Sequence, residues 1–228
     1  MTGQALCASL TLHLESELGD RLQANKLAKF IAQELLVWSV PKGNLANVDS
    51  VIAFSFGNRL LKGGAAVPGP VNQRLAQVAI KIFKQIGCPV FAQWEVAECI
   101  GSAIPSNHLC PITPDVGEDG HTLKYLSTTD VILKIMKHMG RARETKHILV
   151  VAHRDHAHRC LAYLRQNGFK NACVPPFPLP QGYDPRSGQP WTRQRHIYAF
   201  AAAGKGRTAQ GLPAGWQIGR RLFSRMGK

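Results

Sequence analysis

The sequence lacks an apolar run long enough to cross a membrane. Its best candidate, residues 27–40, contains Lys29 and Glu34 and stops at Pro41, well short of the roughly 20 apolar residues that a spanning helix needs. The first twenty residues contain acidic side chains and no basic cluster ahead of an apolar stretch, so they do not match a secretory signal. We therefore expect a soluble cytoplasmic protein that has no membrane partner.

Paired-cysteine and nucleotide-binding motifs are also missing. The six cysteines form no CxxC pair and have no zinc-finger spacing with histidine, so we expect free thiols and no metal ligands. GxGxxG, Walker A and GxSxG motifs are absent. These absences argue against an ordinary dinucleotide site, a P-loop and an α/β-hydrolase nucleophile.

Acidic residues are missing from the C-terminal end, and the net charge of +14 is therefore uneven. Residues 185–228 contain nine basic residues and no acidic one. Such a segment can bind the phosphates of nucleic acid, or it can be a solvated terminus. We expect a single domain over residues 1–184, with an N-terminal helix at 21–40, followed by a basic C-terminal extension over 185–228.

Hydrophobic patterning predicts alternating strands and helices. Helical spacing of apolar residues occurs over 21–40, 72–86, 131–139 and 153–168. Short apolar runs typical of buried parallel strands occur at 51–56, 90–92, 148–152 and 172–174. Residues 101–121, rich in Pro, Gly, Ser and Asp, are predicted to form a long loop or lid. The alternation predicts an α/β fold, with a mostly parallel sheet covered by helices on both faces.

The densest polar cluster, residues 153–159, follows the strand predicted at 148–152 and opens a helix. In open parallel sheets, ligands bind beyond the carboxyl ends of the strands. We therefore expect His153 and Arg159 to bind an anionic group, which the helix N-terminus also favours. His156, on the same helix face as Arg159, is the candidate general acid or base. The alternative is that Asp155 caps the helix and the remaining side chains have no ligand.

Polar residues after the other strands are further candidates. Asn58 and Arg59 follow the first strand and could contact an anionic ligand or face water. Arg74, near the start of its helix, could reach the pocket or pair with an acid. Glu95 follows the second strand and could bind ribose hydroxyls or an ammonium group, act as a base, or lie in a solvated turn.

A fourth group stands at the start of another predicted helix. Thr128, Thr129 and Asp130 could contact a ligand or simply cap that helix. A metal site among the histidines at 153–158 is disfavoured, because His156 and His158 point to different helix faces and no HExxH motif exists. We therefore predict no metal.

The order and spacing of these elements resemble the YdcF-like family, which includes the SanA and ElyC proteins. The matching segments within residues 48–180 are VIAFSFGNR, the helix that Arg74 opens, PVFAQWE, STTDVILKIMKHMG and ILVVAHRDHAHRCLAYLRQNGF. The resemblance implies a Rossmann-like three-layer α/β/α fold, and S-adenosylmethionine or a nucleotide-like molecule as ligand. It also implies that His156 and Arg159 match the family's His and Arg, and Thr129 and Asp130 its Thr and acidic positions.

These observations predict a small-molecule-binding protein, and they leave open whether it is an enzyme. Two alternatives remain at this point. One is a nucleic-acid-binding protein that uses residues 185–228, and the other is a phosphatase-like hydrolase.

Overall fold

The structure, a computed structural model, describes residues 3–36, 40–116 and 123–205. The chain divides into two compact units. One is Val40–Arg193, and the other combines Met1–Ser39 with Gln194–Lys228. Every candidate site residue lies in the first, which we call the sheet unit. No helix among the described residues is both long and apolar enough to cross a membrane.

The strands are β1 (Ser50–Ala53), β2 (Asn58–Leu60), β3 (Ala66–Pro68), β4 (Val90–Gln93), β5 (Leu109–Ile112), β6 (Asp115–Val116), β7 (Leu123–Lys124), β8 (His147–Val151) and β9 (Asn171–Cys173). The α-helices are α1 (Gly3–Leu18), α2 (Arg21–Lys29), α3 (Pro70–Ile86), α4 (Trp94–Ile100), α5 (Thr128–Met139), α6 (Arg154–Gln166) and α7 (Arg195–Lys205). Short 3-10 turns lie at Gly101–Ala103, Gly140–Glu144 and Pro190–Thr192, and a π-helical stretch at Phe30–Leu36.

A parallel five-stranded sheet in the order β5-β4-β1-β8-β9 forms the centre of the sheet unit. The chain runs outward from β1 to one edge and then returns to β8 on the other side of β1. Because parallel crossovers are right-handed, this reversal places α3 and α4 on one face and α5 and α6 on the other. The predicted Rossmann-like three-layer α/β/α fold is therefore confirmed.

The predicted apolar strands form the core between the sheet and the α5–α6 layer. Ile52 and Phe54, from β1 and its extension, pack in one cluster with Val150 of β8, Ile132 of α5 and Leu161 of α6. All five side chains are almost completely buried. This packing fixes the carboxyl ends of β1 and β8 side by side.

Two segments differ from the sequence-based prediction. Residues 101–121 are predicted to form a loop, but they contain β5, which pairs with β4 and is the edge strand of the described sheet. Pro111 within this strand has no N–H to donate, so it is tolerated at an edge and breaks the usual strand pattern. The helix predicted over 21–40 is α2 followed by the π-helical stretch as far as Leu36, while residues 37–39 lie outside the described residues; α1 was not predicted.

Residues 185–193, the first part of the predicted extension, group with the sheet unit. Ser187 and Thr192 are almost fully buried there. Of the predicted extension 185–228, residues 206–228 lie outside the described residues. The binding of phosphates by the basic residues of that part therefore stays a prediction from the sequence.

Candidate functional site

Three rings pack together at the carboxyl ends of β1 and β8, where the strand order of the sheet reverses. The rings of Phe56 and His153 are 3.9 Å apart and nearly parallel. Tyr183 packs edge-on against both rings, at 5.5 Å from Phe56 and 4.7 Å from His153. We call Phe56, His153 and Tyr183 the ring stack. Open sheets of this kind bind ligands at this position, but here the three side chains of the ring stack fill it.

His153 uses both of its ring nitrogens within the fold. Nδ1 accepts a hydrogen bond of 3.2 Å from the Asp155 backbone N–H and so caps α6, while Nε2 lies 3.1 Å from the Gly182 carbonyl and donates to it. Complete burial lowers the pKa of His153 to about 4, despite the opposing effect of the Asp155 charge. The predicted ligand-binding histidine is therefore a neutral helix cap.

Asp155 is held in the same region as a buried carboxylate. It accepts hydrogen bonds from Tyr183 Oη at 2.6 Å and from Arg154 Nε at 2.8 Å. Burial alone would raise the pKa of Asp155, but these hydrogen bonds outweigh it and the pKa is lowered. The carboxylate therefore anchors Tyr183, the third ring of the stack, to the start of α6.

His156 and Arg159 lie on α6, as predicted. His156 is buried next to Phe54 and Phe56, and the centre of its ring lies 6.3 Å from that of Phe54 and 6.2 Å from that of Phe56. Arg159 lies one helical turn further along and is partly exposed. The structure thus places the predicted imidazole at the carboxyl end of β1, next to the ring stack.

The predicted pair Asn58 and Arg59 is engaged by a later segment of the chain. Arg59 forms a two-point ion pair with Asp184, with Nε 2.8 Å from Oδ2 and Nη2 3.1 Å from Oδ1. The backbone oxygen of Asn58 accepts from Gly188 N–H at 2.7 Å and from Ser187 Oγ at 3.2 Å. Both residues therefore hold the chain in place, and the Arg59 charge is already paired.

The segment that engages them, residues 180–193, was not predicted to have a structural role; we call it the cover segment. It begins where the Pro180 carbonyl accepts from Arg154 N–H. It ends in a buried network in which Ser187 Oγ and Thr192 Oγ1 are 2.7 Å apart. A Cβ on Gly57, whose φ is +75°, would lie 2.5 Å from that Thr192 oxygen. The cover segment therefore closes directly over the loop that follows β1.

Asn72 of α3 fixes the same loop from below. Its Oδ1 accepts from Phe56 N–H at 2.9 Å and its Nδ2 donates to the Gly57 carbonyl at 2.6 Å, with the side chain fully buried. These two bonds satisfy backbone groups that leave the sheet ladder. The loop that presents Phe56 is thus held by side-chain bonds on both sides.

Glu95 is the predicted residue whose bonding is least complete. Its side chain is fully buried in the first turn of α4. Oε1 accepts a 3.3 Å hydrogen bond from Tyr125 Oη, but Oε2 has no hydrogen-bond partner in the described part of the chain. Burial raises the pKa of Glu95 to about 7. This carboxyl group can therefore gain or lose a proton near neutral pH.

Ser55 and Tyr125 surround that carboxyl group. Ser55 follows β1 and lies close enough to Glu95 to lower its pKa, against the larger effect of burial. Ser55 Oγ is also buried without a hydrogen-bond partner among the described residues. The Ser55 N–H is bound by Gln93 Oε1 at 3.1 Å. Tyr125 is 43% exposed and so links the buried group to the surface. We call Ser55, Glu95 and Tyr125 the Glu95 cluster.

The remaining candidates divide between a helix cap and a surface groove. Ser127 and Asp130 form a reciprocal capping box at the start of α5, in which Asp130 N–H donates to Ser127 Oγ and Ser127 N–H donates to Asp130 Oδ2. Thr128 is partly exposed and Thr129 exposed in the same turn. Arg74 is exposed on α3 and lies at a shallow groove. The structure therefore does not bring these residues into the Glu95 cluster.

Among the described residues, no set of three or more His, Cys, Asp or Glu side chains could hold a metal ion. In comparisons with known proteins, no family model matches this chain, and neither a curated protein nor a solved structure is significantly similar to it.

Proposed function

We propose that this chain is a YdcF-like protein that binds a nucleoside-type small molecule, with S-adenosylmethionine as the first candidate, at the Glu95 cluster. The observation that supports it is a pair of buried oxygens, Glu95 Oε2 and Ser55 Oγ, that lack hydrogen-bond partners in the described part of the chain. Unsatisfied buried polar atoms are rare in native proteins because each costs free energy. A ligand that donates hydrogen bonds would remove that cost.

The cluster also lies at the carboxyl edge of the sheet, beside the point between β1 and β8 where the strand order reverses. Ser55 follows β1 and Glu95 follows β4, so both stand beyond the carboxyl ends of adjacent parallel strands. This is the edge at which open α/β sheets bind ligands. The side of the edge between β1 and β8 is filled by the ring stack. We therefore assign the ligand to the side between β1 and β4, where it would displace the exposed Tyr125 to reach the fully buried Glu95.

The chemistry of the cluster favours a ligand with donor groups. A carboxylate accepts from hydroxyl and ammonium groups, and charge-assisted bonds of this kind are the stronger ones. S-adenosylmethionine offers two ribose hydroxyls and an α-ammonium group. The resemblance to YdcF-like proteins independently suggests the same ligand.

A catalytic role is the second part of the proposal. His156 is the proposed general acid or base and Arg159 the proposed anion-binding residue, on the strength of the resemblance and of their positions on α6. Glu95 adds a second proton-exchanging group at the same edge of the sheet, since its pKa of about 7 suits proton transfer at neutral pH.

Calorimetric titration tests the proposal. S-adenosylmethionine and adenosine are titrated into the full chain, into Glu95→Gln and into the matched control Glu98→Gln, an exposed glutamate on the same helix. We expect Glu95→Gln to weaken binding about tenfold or more, the loss typical of a charge-assisted bond, and Glu98→Gln to have no effect. Absence of binding to the unmodified chain, or unchanged binding in Glu95→Gln, would refute the site. The double variant His156→Ala, Arg159→Ala tests the α6 contribution separately.

A further inference from the structure

A groove outside the Glu95 cluster runs between helix α3 and the proline-rich segment at residues 175–180. Its volume is about 350 Å³, within the range of sites that bind small molecules. One wall consists of α3 side chains, among them Arg74, Gln77 and Lys81, and the other of the chain from Phe177 to Pro180. The whole groove lies within the sheet unit.

The α3 wall is positively charged. Arg74 and Lys81 are exposed and seven residues apart, so they lie about 10 Å apart along the helix axis. No acidic side chain in the described part of the chain forms an ion pair with either of them, and none lines the groove. Gln77, between them, adds amide donors. This wall therefore offers hydrogen-bond donors and positive charge, which a negatively charged ligand would match.

The opposite wall is apolar, and α3 adds one apolar side chain. Phe177 and Leu179 are partly buried there, together with Val78 of α3. The two prolines of this wall have no N–H group, so it offers few backbone donors to a ligand. A ligand that fits the groove therefore combines an anionic group with a planar or apolar body.

Both cations contact the chain opposite α3, Lys81 at the groove wall itself and Arg74 just beyond it. Lys81 Nζ lies 4.4 Å from the centre of the Phe177 ring, a cation–π contact that keeps the ammonium group at the groove. Arg74 Nη1 is so close to Gly182 that a Cβ there would lie 2.5 Å from it. The guanidinium therefore rests against the backbone that follows the proline-rich segment, with its donors at one end of the groove.

We propose that this groove binds a small aromatic phosphate monoester of the nucleoside monophosphate class. The Arg74 fork would bind the phosphate by two parallel hydrogen bonds, a geometry that Lys cannot reproduce. Lys81 adds a second positive charge, and the ring rests on Val78, Phe177 and Leu179. This site is separate from the Glu95 cluster and does not rest on the function proposed there.

Titration calorimetry at 0.15 M salt tests the groove with three probes: adenosine monophosphate, adenosine and inorganic phosphate. The variants are Arg74→Gln, Lys81→Gln and the control Lys84→Gln, which removes a charge from the same helix outside the groove. We expect adenosine monophosphate to bind more tightly than either part alone. Arg74→Gln should weaken this binding at least tenfold, Lys81→Gln severalfold, and Lys84→Gln should leave it unchanged.

Three results would overturn the proposal. The first is no detectable binding of adenosine monophosphate, and the second is an equal loss in Lys84→Gln, which would indicate unspecific attraction to a basic helix. The third is a loss in Glu95→Gln with none in Arg74→Gln, which would assign the nucleotide to the Glu95 cluster. Conversely, binding that survives Glu95→Gln and fails in Arg74→Gln supports the groove even if S-adenosylmethionine does not bind.

Discussion

Glu95 gives a prediction about stability that needs no ligand. Replacement by Gln keeps the shape of the side chain and its ability to accept from Tyr125, but removes the ionisable group. If the buried carboxyl group titrates near pH 7 in the folded protein, the difference in unfolding free energy between the two proteins must depend on pH. Its size and sign follow from the raised pKa.

The usual pKa of a glutamate in an unfolded chain is about 4.5, and burial raises that of Glu95 to about 7. Between these two pH values the folded protein keeps a proton that the unfolded chain has released, so stability falls as pH rises. Each pH unit is worth about 1.4 kcal/mol, and the full effect is about 3 kcal/mol. Above pH 7 the penalty is complete, and below pH 4.5 it is absent.

Urea unfolding of the unmodified chain and of Glu95→Gln, measured between pH 4.5 and 8, checks this prediction. Over that interval the free energy of unfolding of the unmodified protein should fall by about 2–3 kcal/mol relative to that of the variant. This range is slightly below the full effect because the structure around the charge can partly relax. Glu98→Gln, which alters an exposed carboxylate on the same helix, should follow the unmodified protein closely. If the curves for Glu95→Gln and the unmodified chain run parallel, the buried carboxyl group does not titrate as argued, and the support for acid–base chemistry at this site is lost.

Three further predictions concern the loops at the carboxyl edge. Burial lowers the pKa of His153 in the folded protein to about 4, below its usual 6.5, so the free energy of unfolding should fall by about 3 kcal/mol as pH falls between those values. His153→Asn, which keeps a cap acceptor, should remove most of this pH dependence in urea unfolding. Asn72→Ala leaves two buried backbone groups without hydrogen-bond partners, so the free energy of unfolding measured by chemical denaturation should fall by about 2–4 kcal/mol. A fall of less than about 1 kcal/mol would contradict the role given to Asn72. Gly57→Ala should lower the melting temperature more than Gly63→Ala, because both have positive φ but only Gly57 also lies against Thr192; equal losses would mean that the cover segment yields.

The elements of the sheet could be predicted because their patterns are local. The buried runs that became β1, β4, β8 and β9 are continuous in sequence, and α5 begins at a capping box that four consecutive residues specify. By contrast, β5 contains Pro111, so its pattern does not stand out from the surrounding proline-containing loop. Its place in the sheet follows from pairing with β4, which no local pattern encodes.

The site was harder to predict because its partners are distant in sequence. Arg59 and its partner Asp184 are 125 residues apart, and Glu95 and Tyr125 are 30 apart. A carboxylate that follows a strand is the same in sequence whether it faces water or is buried. The prediction therefore included Glu95 as a candidate but could not distinguish it from Arg59, whose charge the fold neutralises.

The ring stack explains why the most polar segment of the sequence does not contain the buried polar atoms that lack hydrogen-bond partners in the structure. His153 and Asp155 follow the best predicted strand, yet the polar atoms they place at the ring stack have partners in the fold, and Phe56 covers one face of the imidazole. A ligand could enter between β1 and β8 only by displacing these contacts together with Tyr183. Between β1 and β4, by contrast, a ligand would form bonds that the protein itself leaves unformed at Glu95. On energetic grounds, then, we propose the β4 side of β1 as the binding side, because the ring stack fills the other side.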